Sequence, residues 1–354
     1  MSNSMTSSAS AVSSASESLQ RLAPGLVLAG AVAVLGTWMQ PMLPEFLPIP
    51  AMVLSLLLGI LLHSSATSAL FQPGLRFCVR SLLRWSVALL GLRIAVGDIL
   101  DLGFGVAFLV VVAMAGTMAA AFLLTRLLGQ SPMYAVLAGA ATAVCGASAT
   151  LATSTVVPHY QEKDTDVAFV VIGVNLLATA AMLLYPLIGH GLGFDDRAIG
   201  IILGGTIHDV AQVVGAGYTI SDDAGNAAVI VKLFRVFLLL PVVLLVGWYF
   251  TRGGYRSGEA RVPLPIFAIG FLALCIINSV IPSIPALVPI FDPIKAGLGT
   301  LSTWGLLLAI AALGLGTSLR SFATLGWRHI ATLVATAAVI FIIITGGLMI
   351  LEAY

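Results

Sequence analysis

The sequence predicts an all-α polytopic membrane protein with about eleven transmembrane helices, arranged as one extra N-terminal helix and two inverted five-helix repeats. Hydrophobic residues make up 59% of the 354 residues and charged residues only 9%, whereas a soluble globular domain carries roughly 25% charged residues. This small number of charged residues cannot cover the surface of a soluble protein of this length. Most of the surface must therefore face lipid. The apolar runs are continuous rather than alternating, which excludes a membrane β-barrel.

Each predicted helix is an apolar run bounded by charge, proline or glycine, because crossing a bilayer core takes roughly 20 such residues. Residues 1–24 precede the first run. They are rich in Ser and Ala and lack a basic n-region, so we expect a disordered cytoplasmic tail rather than a signal peptide. The eleven runs span residues 25–43, 49–64, 75–97, 104–128, 134–157, 167–190, 198–219, 227–250, 264–281, 297–319 and 328–351.

Basic residues near the helix ends predict the orientation, since cytoplasmic loops carry the excess of Lys and Arg. Ten of the 16 Lys and Arg residues lie on the side that holds the N-terminus, and two, Lys163 and Lys295, lie on the other side. With eleven crossings, this distribution places the N-terminus in the cytoplasm and the C-terminus outside, in the periplasm of a bacterial cell.

Similar segments five helices apart predict the repeats. Segment 76–91 resembles segment 232–247 in its basic start and apolar run to a glycine, and clusters of small residues occur at 145–149 and 313–318. An odd offset inverts the second copy. The prediction is an extra helix at 25–43 and repeats spanning 49–190 and 198–351, with a crossed pair of broken helices near 145–149 and 314–318.

The segment 204–217, GGTIHDVAQVVGAG, introduces three polar side chains into an apolar helix. Polar groups inside a membrane are costly unless they are paired or face water, so they indicate a functional site. Helical spacing predicts that His208 and Gln212 share one face and that Asp209 points away from it. His208 could contact a substrate or shuttle a proton, and Asp209 could bind a coupling cation. The alternative is that these groups hydrogen-bond neighbouring helices and only stabilise the fold.

The segment 138–154, AGAATAVCGASATLATS, consists almost entirely of small residues. An unwound helix here would offer backbone amides whose partial positive charge suits an anion, whereas close helix packing is the alternative interpretation. The candidate anion-binding residues are Cys145, Gly146, Ala147, Ser148 and Ala149. Those of the second cluster, open to the same two interpretations, are Gly316, Thr317 and Ser318.

Four basic residues lie within apparent helices: Arg84, Arg93, Lys232 and Arg235. They could neutralise an anionic solute or attract it into a vestibule. We favour the interpretation that Arg84, Lys232 and Arg235 snorkel from the helix ends to the lipid head groups, whereas Arg93 could instead pair with Asp98.

Several classes of function are disfavoured. The formal net charge of +1 gives no cationic face for nucleic acid. The three cysteines, Cys78, Cys145 and Cys275, are far apart and lack metal-ligand spacing, and no base near Cys145 in sequence would activate its thiol. Phosphate-loop, dinucleotide and serine-hydrolase motifs are absent from the sequence. We therefore expect neither an enzyme nor a bound metal or cofactor.

Two long strings, 141–149 (ATAVCGASA) and 206–217 (TIHDVAQVVGAG), resemble a known family, with support from 89–93 and 313–317. This is the YeiH-type family of bacterial inner-membrane proteins, often called sulfate exporters. The resemblance covers roughly residues 25 to 350. The chain departs from the family pattern at Thr150, where an aliphatic residue is expected, and at His329, where proline is expected.

The YeiH-type family is similar to the bile-acid/sodium symporter and cation/proton antiporter superfamily, in which inverted repeats form a panel and a core with crossed broken helices. The resemblance implies a secondary transporter of the inner membrane that moves sulfate or an organosulfonate-like oxyanion by alternating access. Such an anion fits helix-end amides together with Ser148, His208 and Gln212. A cation antiporter is the alternative, and the single mid-membrane acid, Asp209, makes it the second choice.

The resemblance also sets expectations for partners. We expect a small anionic solute, membrane lipid and no nucleic acid, with Na+ or H+ as candidates for the coupling ion. In the related superfamily a lipid-facing panel often serves as a dimer interface, so a homodimer is a further expectation.

Overall fold

A computed structural model describes residues 3–43, 50–254, 266–317 and 326–352, which are helical throughout apart from their connections. A π-helical turn, Cys78–Leu82, joins the fourth helix to the fifth. In chain order the helices are α1 (Asn3–Met39), α2 (Ala51–Leu61), α3 (His63–Ala66), α4 (Gln72–Phe77), α5 (Leu83–Leu89), α6 (Val96–Asp101), α7 (Gly103–Leu127), α8 (Pro132–Ala143), α9 (Ala147–Val156), α10 (Lys163–Gly191), α11 (Asp196–Thr206), α12 (Val210–Ile220), α13 (Asp222–Phe237), α14 (Leu239–Arg252), α15 (Ile266–Val280), α16 (Val288–Gly316) and α17 (Trp327–Glu352).

Seven stretches of these described residues are long and apolar enough to cross a membrane, and this confirms the predicted class of polytopic all-α membrane protein. Helices α2, α8 and α12 are apolar but have only 10 to 17 residues. The seven long stretches are Gln20–Met42, Gly103–Leu127, Lys163–Gly191, Asp222–Arg252, Ile266–Ser283, Val288–Gly316 and Trp327–Leu351.

Helix α1 differs from the expectation of a disordered tail at 1–24, because it begins at Asn3. The segment that it adds contains eight Ser and four Ala residues; Ser is only a moderate helix former, but extending an existing helix costs far less than starting one. The part of α1 that is apolar enough to cross a membrane begins at Gln20.

The chain divides into two compact units, of which the first comprises Met1–Leu90 and Ala286–Ser318. Its core joins α1 to α16 through small and aliphatic side chains such as Ala29, Val32 and Ala311. Helices α2 and α16 approach closely because both carry glycine at the contact: a Cβ at Gly59 would lie 2.7 Å from the Ala311 carbonyl oxygen.

The second compact unit comprises Gly91–Pro285 and Leu319–Tyr354, and it contains a helical hairpin, hairpin 1, formed by α8, residues 144–146 and α9. Both ends of hairpin 1 lie at the start of α10. The hydroxyl of Tyr134, in the first turn of α8, donates to the His329 carbonyl (3.2 Å), and the His329 ring lies 3.2 Å from Asp166 of α10. Lys163, the first residue of α10, donates to the Val157 carbonyl just after α9 (2.7 Å). The chain therefore turns back at 144–146 instead of continuing across.

A second hairpin of the same unit, hairpin 2, consists of α11, residues 207–209 and α12. Gly200 and Gly204 of α11 lie against Ala224 and Ala228 of α13, so these two helices run in the same direction. Ser221 alone separates α12 from α13, and the two helices pack side by side in opposite directions. Helices α11 and α12 are therefore antiparallel, and the chain turns back at 207–209.

The tips of the two hairpins, residues 144–146 and 207–209, meet beside the middle of α10. A Cβ at Gly146 would lie 3.5 Å from Val174 and 3.4 Å from the His208 carbonyl oxygen. The Gln212 amide nitrogen lies 2.9 Å from the Thr179 hydroxyl. The base of hairpin 1 lies beside the first residues of α10, whereas hairpin 2 follows the last residues of α10. The two hairpins therefore enter this unit from opposite sides.

The hairpins correct the prediction of eleven crossings. Residues 134–157 and 198–219 were predicted to span the membrane. The first segment begins and ends beside the start of α10, and the second begins and ends on the side where α10 ends. A run of 20 apolar residues satisfies the length criterion for a span equally well whether it is straight or folded in two. One consequence is that Lys163 lies on the same side as Arg328, rather than on the opposite side.

This topology can be tested by labelling single cysteines with a membrane-impermeant maleimide. Gln161→Cys and Arg328→Cys are expected to label from the same side of the membrane, and Leu192→Cys from the other side. The three native cysteines are buried, so the unmodified protein provides the background. Labelling of Gln161→Cys and Arg328→Cys from opposite sides would mean that residues 198–219 cross the membrane.

Candidate functional site

The tip of hairpin 1 depends on Gly146, the residue that precedes α9. Its φ of 61° and ψ of −124° belong to a region of backbone conformation that residues with a Cβ rarely adopt. Helix α9 then begins at Ala147, and the Thr150 hydroxyl donates to the Gly146 carbonyl (3.0 Å). The break predicted near 145–149 is therefore present at 144–146, and the hydroxyl of Thr150, a departure from the family pattern, closes the first turn after it.

The tip of hairpin 2 is set by Asp209, which caps α12. Its carboxylate accepts the Ala211 amide (2.8 Å), as expected of an aspartate at the N-cap of a helix. His208 lies in the non-helical tip before this cap. The prediction that His208 and Gln212 share a helical face is therefore wrong, because the helix that would relate them begins only at Val210.

Lys232 of α13 connects the two tips. Its ammonium group donates to the carbonyls of Val144 (2.8 Å), Ile207 (2.9 Å) and His208 (2.7 Å). The side chain is completely buried, and these three contacts use all three of its N–H donors.

Arg235, one turn further along α13, makes a second connection between the hairpins. Its guanidinium donates to Thr142 and Ala143 of α8 and to Gly204 and Ile207 of hairpin 2, at 2.9 to 3.1 Å. Arg235 is also completely buried, so the snorkelling predicted for it and for Lys232 is wrong. Helix α13 begins at Asp222, five residues before the predicted start at 227, which moves both cations away from the helix end.

The two cations neutralise the ends of α8 and α11. The last carbonyls of a helix have no partner within it and carry a partial negative charge. Lys232 and Arg235 together donate to the carbonyls of six residues at these ends: Thr142, Ala143, Val144, Gly204, Ile207 and His208. The cations have no donor left over, so they would act on a ligand through their charge and not through direct hydrogen bonds.

The first turns of α9 and α12 both start at the meeting point, but they are capped differently. Asp209 supplies a carboxylate to α12. The N-cap residue of α9 is Gly146, which makes no side-chain cap, and the Cys145 thiol reaches the Ala149 amide. Ser148 in this first turn is exposed. Helix α9 therefore presents amides and a hydroxyl in the position where α12 holds its own anion.

His208 and Gln212 are buried beside this meeting point, with 2% and 0% of their surface exposed. The His208 ring hydrogen-bonds the Thr142 backbone, and the Gln212 amide donates to Thr179 and to the Asn175 carbonyl. Their other polar atoms, Nδ1 of His208 and Oε1 of Gln212, are buried without a partner. Both residues thus bind neighbouring helices, as in the structural interpretation, and each retains one polar atom that a ligand could use.

The second cluster of small residues, 313–318, does not form a broken helix within the described residues. Helix α16 is continuous to Gly316, Thr317 follows in an extended conformation, and Ser318 lies outside the described residues. Gly314 packs against the backbone of Leu56 in α2, which is ordinary small-residue packing. The segment that meets the first break is 207–209, whereas Gly316 and Thr317 belong to the first compact unit, and the discontinuity expected at 314–318 extends beyond the described residues.

A polar network anchors the base of hairpin 1 and accounts for His329. The Tyr160 hydroxyl donates to Asp166 (2.9 Å), whose other carboxylate oxygen faces the His329 ring. The His329 carbonyl accepts the Tyr134 hydroxyl, and the two rings are in edge contact. Burial, followed by the Asp166 carboxylate, raises the pKa of Tyr160, so its phenol remains a neutral donor. Proline at 329 would lack the ring that pairs with Asp166.

In the part of the chain that the structure describes, no group of three or more His, Cys, Asp or Glu side chains is placed to hold a metal ion.

The chain is similar to proteins described only as membrane proteins. A family model described as Conserved hypothetical protein 698 matches residues 24–333. UPF0324 membrane protein TauZ of Paracoccus denitrificans is 40% identical over 93% of this chain and 95% of its own length. UPF0324 membrane protein RB0971 of Rhizobium meliloti is 38% identical over 93% of both chains, and CT0845 of Chlorobaculum tepidum is 35% identical over 93% of this chain and 90% of its own. No solved structure matches. The chain belongs to the UPF0324 family of membrane proteins.

Proposed function

We propose that the protein is a secondary transporter that binds a small oxyanion at the first turn of α9 and moves it by alternating access. The observation that carries the proposal is the unequal capping of two similar helix ends. Asp209 caps α12 with a carboxylate, whereas α9 begins at Gly146 with no side-chain cap. An external anion at Ala147 and Ser148 would complete the second end as Asp209 completes the first.

The charges around the tips support an anion rather than a cation. Lys232 and Arg235 contribute two positive charges, and both act electrostatically on Cys145, the residue before Gly146. Asp209, the acid that also acts on Cys145, contributes one negative charge, so one positive charge is left uncompensated. A bound monoanion would balance it, and unbalanced charge inside a membrane is expensive. An organosulfonate or another singly charged oxyanion is therefore the substrate class that we favour, with sulfate next.

The hairpins suggest how alternating access could operate. Hairpin 1 enters from the side on which α10 begins and hairpin 2 from the side on which it ends. Displacing one tip would open the anion position to one side of the membrane while the other tip keeps it closed. Transporters with binding sites at discontinuous helices near the bilayer midplane alternate by rocking or gating one part of the fold against another.

The orientation that we propose is an inner-membrane protein with a cytoplasmic N-terminus and a periplasmic C-terminus. Folding back two of the eleven predicted segments leaves an odd number of crossings. Lys163 then moves to the cytoplasmic side and Arg197 leaves it, so the distribution stays at ten basic residues against two. The positive-inside rule thus favours the same orientation as before.

The proposal predicts that an oxyanion stabilises the detergent-purified protein. The sodium salts of a small sulfonate, sulfite and sulfate are compared with gluconate at matched ionic strength. Binding to the folded state adds about 2.7 kcal/mol at a ligand concentration of 100 times Kd, so the unfolding temperature should rise with concentration and saturate.

Two variants at the same position provide the control. In Ser148→Asp the new carboxylate would lie in the first turn of α9 and take the place of the anion, so stabilisation by added anions should disappear. Ser148→Asn has a similar size without the charge and should retain a response. If no oxyanion stabilises the unmodified protein, or if Ser148→Asp responds as strongly, the anion position is wrong.

A further inference from the structure

We infer that the ammonium group of Lys232 is a tethered cation in a binding site made by the two hairpin tips, and that it replaces a bound alkali cation. The site itself rests on contacts within the second compact unit. Its consequence, that the transport cycle needs no sodium, rests on the proposed function. The inference deepens that proposal by naming the source of the positive charge at the site.

The geometry around Lys232 is that of a coordinated cation. Three carbonyl oxygens, of Val144, Ile207 and His208, surround the Nζ atom at 2.7 to 2.9 Å. All three lie in or beside the non-helical tips, where no helical N–H is available to them. Unwound carbonyls at discontinuous membrane helices are a common way to coordinate alkali cations.

The cation holds the two hairpins together. Val144 belongs to hairpin 1, and Ile207 and His208 belong to hairpin 2. Without a positive charge, three carbonyls of like polarity would face one another in a buried space. An exchangeable ion could fill this role, but Lys232 fills it permanently because it is part of α13.

The surrounding charges disfavour a second cation at this position. Arg235 acts on Lys232 as a like charge, and Asp209 acts on it as the opposite charge. A sodium ion would have to displace a covalently held charge of the same sign and would also lie close to Arg235. Sodium is therefore expected to have no binding site at the tips of the native protein.

The test removes the side chain and adds a free cation. Lys232→Ala leaves the three carbonyls in place and a cavity where the side chain was. Its unfolding temperature is expected to fall below that of the native protein in N-methylglucamine chloride. Ammonium, methylammonium or sodium chloride at matched ionic strength should then restore most of the loss in a saturable way.

Lys232→Met is the matched control, because its side chain fills most of the same space without a charge. It should be destabilised and should gain nothing from added cations. Equal responses of the Ala and Met variants to cations, or no response of Lys232→Ala to any of the three cations, would overturn the inference.

The native protein provides an independent measurement if Lys232→Ala does not fold. Its unfolding temperature should be the same in sodium chloride, potassium chloride and N-methylglucamine chloride. A specific stabilisation by sodium would overturn the inference. Anion stabilisation measured in N-methylglucamine salts separates the two proposals. A sodium requirement for anion binding would contradict the tethered cation alone. The absence of anion binding, with or without sodium, would contradict the proposed function alone.

Discussion

Arg235→Met is expected to prevent the two hairpin tips from assembling. The guanidinium donates to four carbonyls, of which Thr142, Ala143 and Gly204 receive no contact from Lys232. The His208 ring still bonds the Thr142 backbone, but Ala143 and Gly204 would lose their partner at about 1–3 kcal/mol each, which amounts to several kcal/mol. A folded protein is typically stable by only about 5–15 kcal/mol, and this single change should remove much of that margin.

The measurement is the unfolding temperature and the monodisperse yield of the detergent-purified variant. Arg252→Met is the matched control, because Arg252 ends the same apolar stretch but is exposed and lies over the Trp248 ring. Arg235→Lys should be intermediate, since it keeps the charge but has three donors in place of five. If Arg235→Met is as stable as Arg252→Met, the cation does not hold the hairpins together.

The membrane class and the two polar segments could be predicted from the sequence because both depend on composition. A charged fraction of 9% admits few other folds, and His208, Asp209 and Gln212 are rare residues in an apolar run. The break at Gly146 was also predictable, since small residues around it allow a helix to unwind. Direct contact between these segments in space could not be derived from either segment alone.

The hairpins could not be distinguished from spans, because residues 134–157 and 198–219 satisfy the length criterion for crossing. One signal was available in hairpin 2. Asp209 is a favoured N-cap residue, and treating it as a helix start would have placed a break immediately before Val210. The repeat boundaries 49–190 and 198–351 remain predictions, and one hairpin falls largely within each of them.

Lys232 and Arg235 were misinterpreted because the predicted start of their helix was late. With the observed start at Asp222, Lys232 lies ten residues inside the stretch, which is about 15 Å at 1.5 Å per residue. A basic residue at that depth cannot be explained by snorkelling from the helix end. What the cations contact, six carbonyls of two hairpins, depends on tertiary structure and has no signature in the sequence.

The central claim, that the hairpin tips hold an anion that the protein transports, is tested most directly by exchange in proteoliposomes. Purified protein is reconstituted in parallel in N-methylglucamine salts without sodium and in sodium salts. Vesicles loaded with an unlabelled small sulfonate or sulfate are diluted into the same anion carrying a radiolabel, and uptake is followed over time. Ser148→Asp and Ser148→Asn are reconstituted in parallel, with protein-free liposomes as the blank.

We expect saturable uptake of label by the native protein, driven by exchange and independent of sodium. Ser148→Asp should fall to the level of the blank while keeping its unfolding temperature, because a carboxylate in the first turn of a helix is stabilising by about 0.3–1 kcal/mol. Ser148→Asn should retain exchange. No exchange of any oxyanion by the folded native protein, or full exchange by Ser148→Asp, would contradict the account.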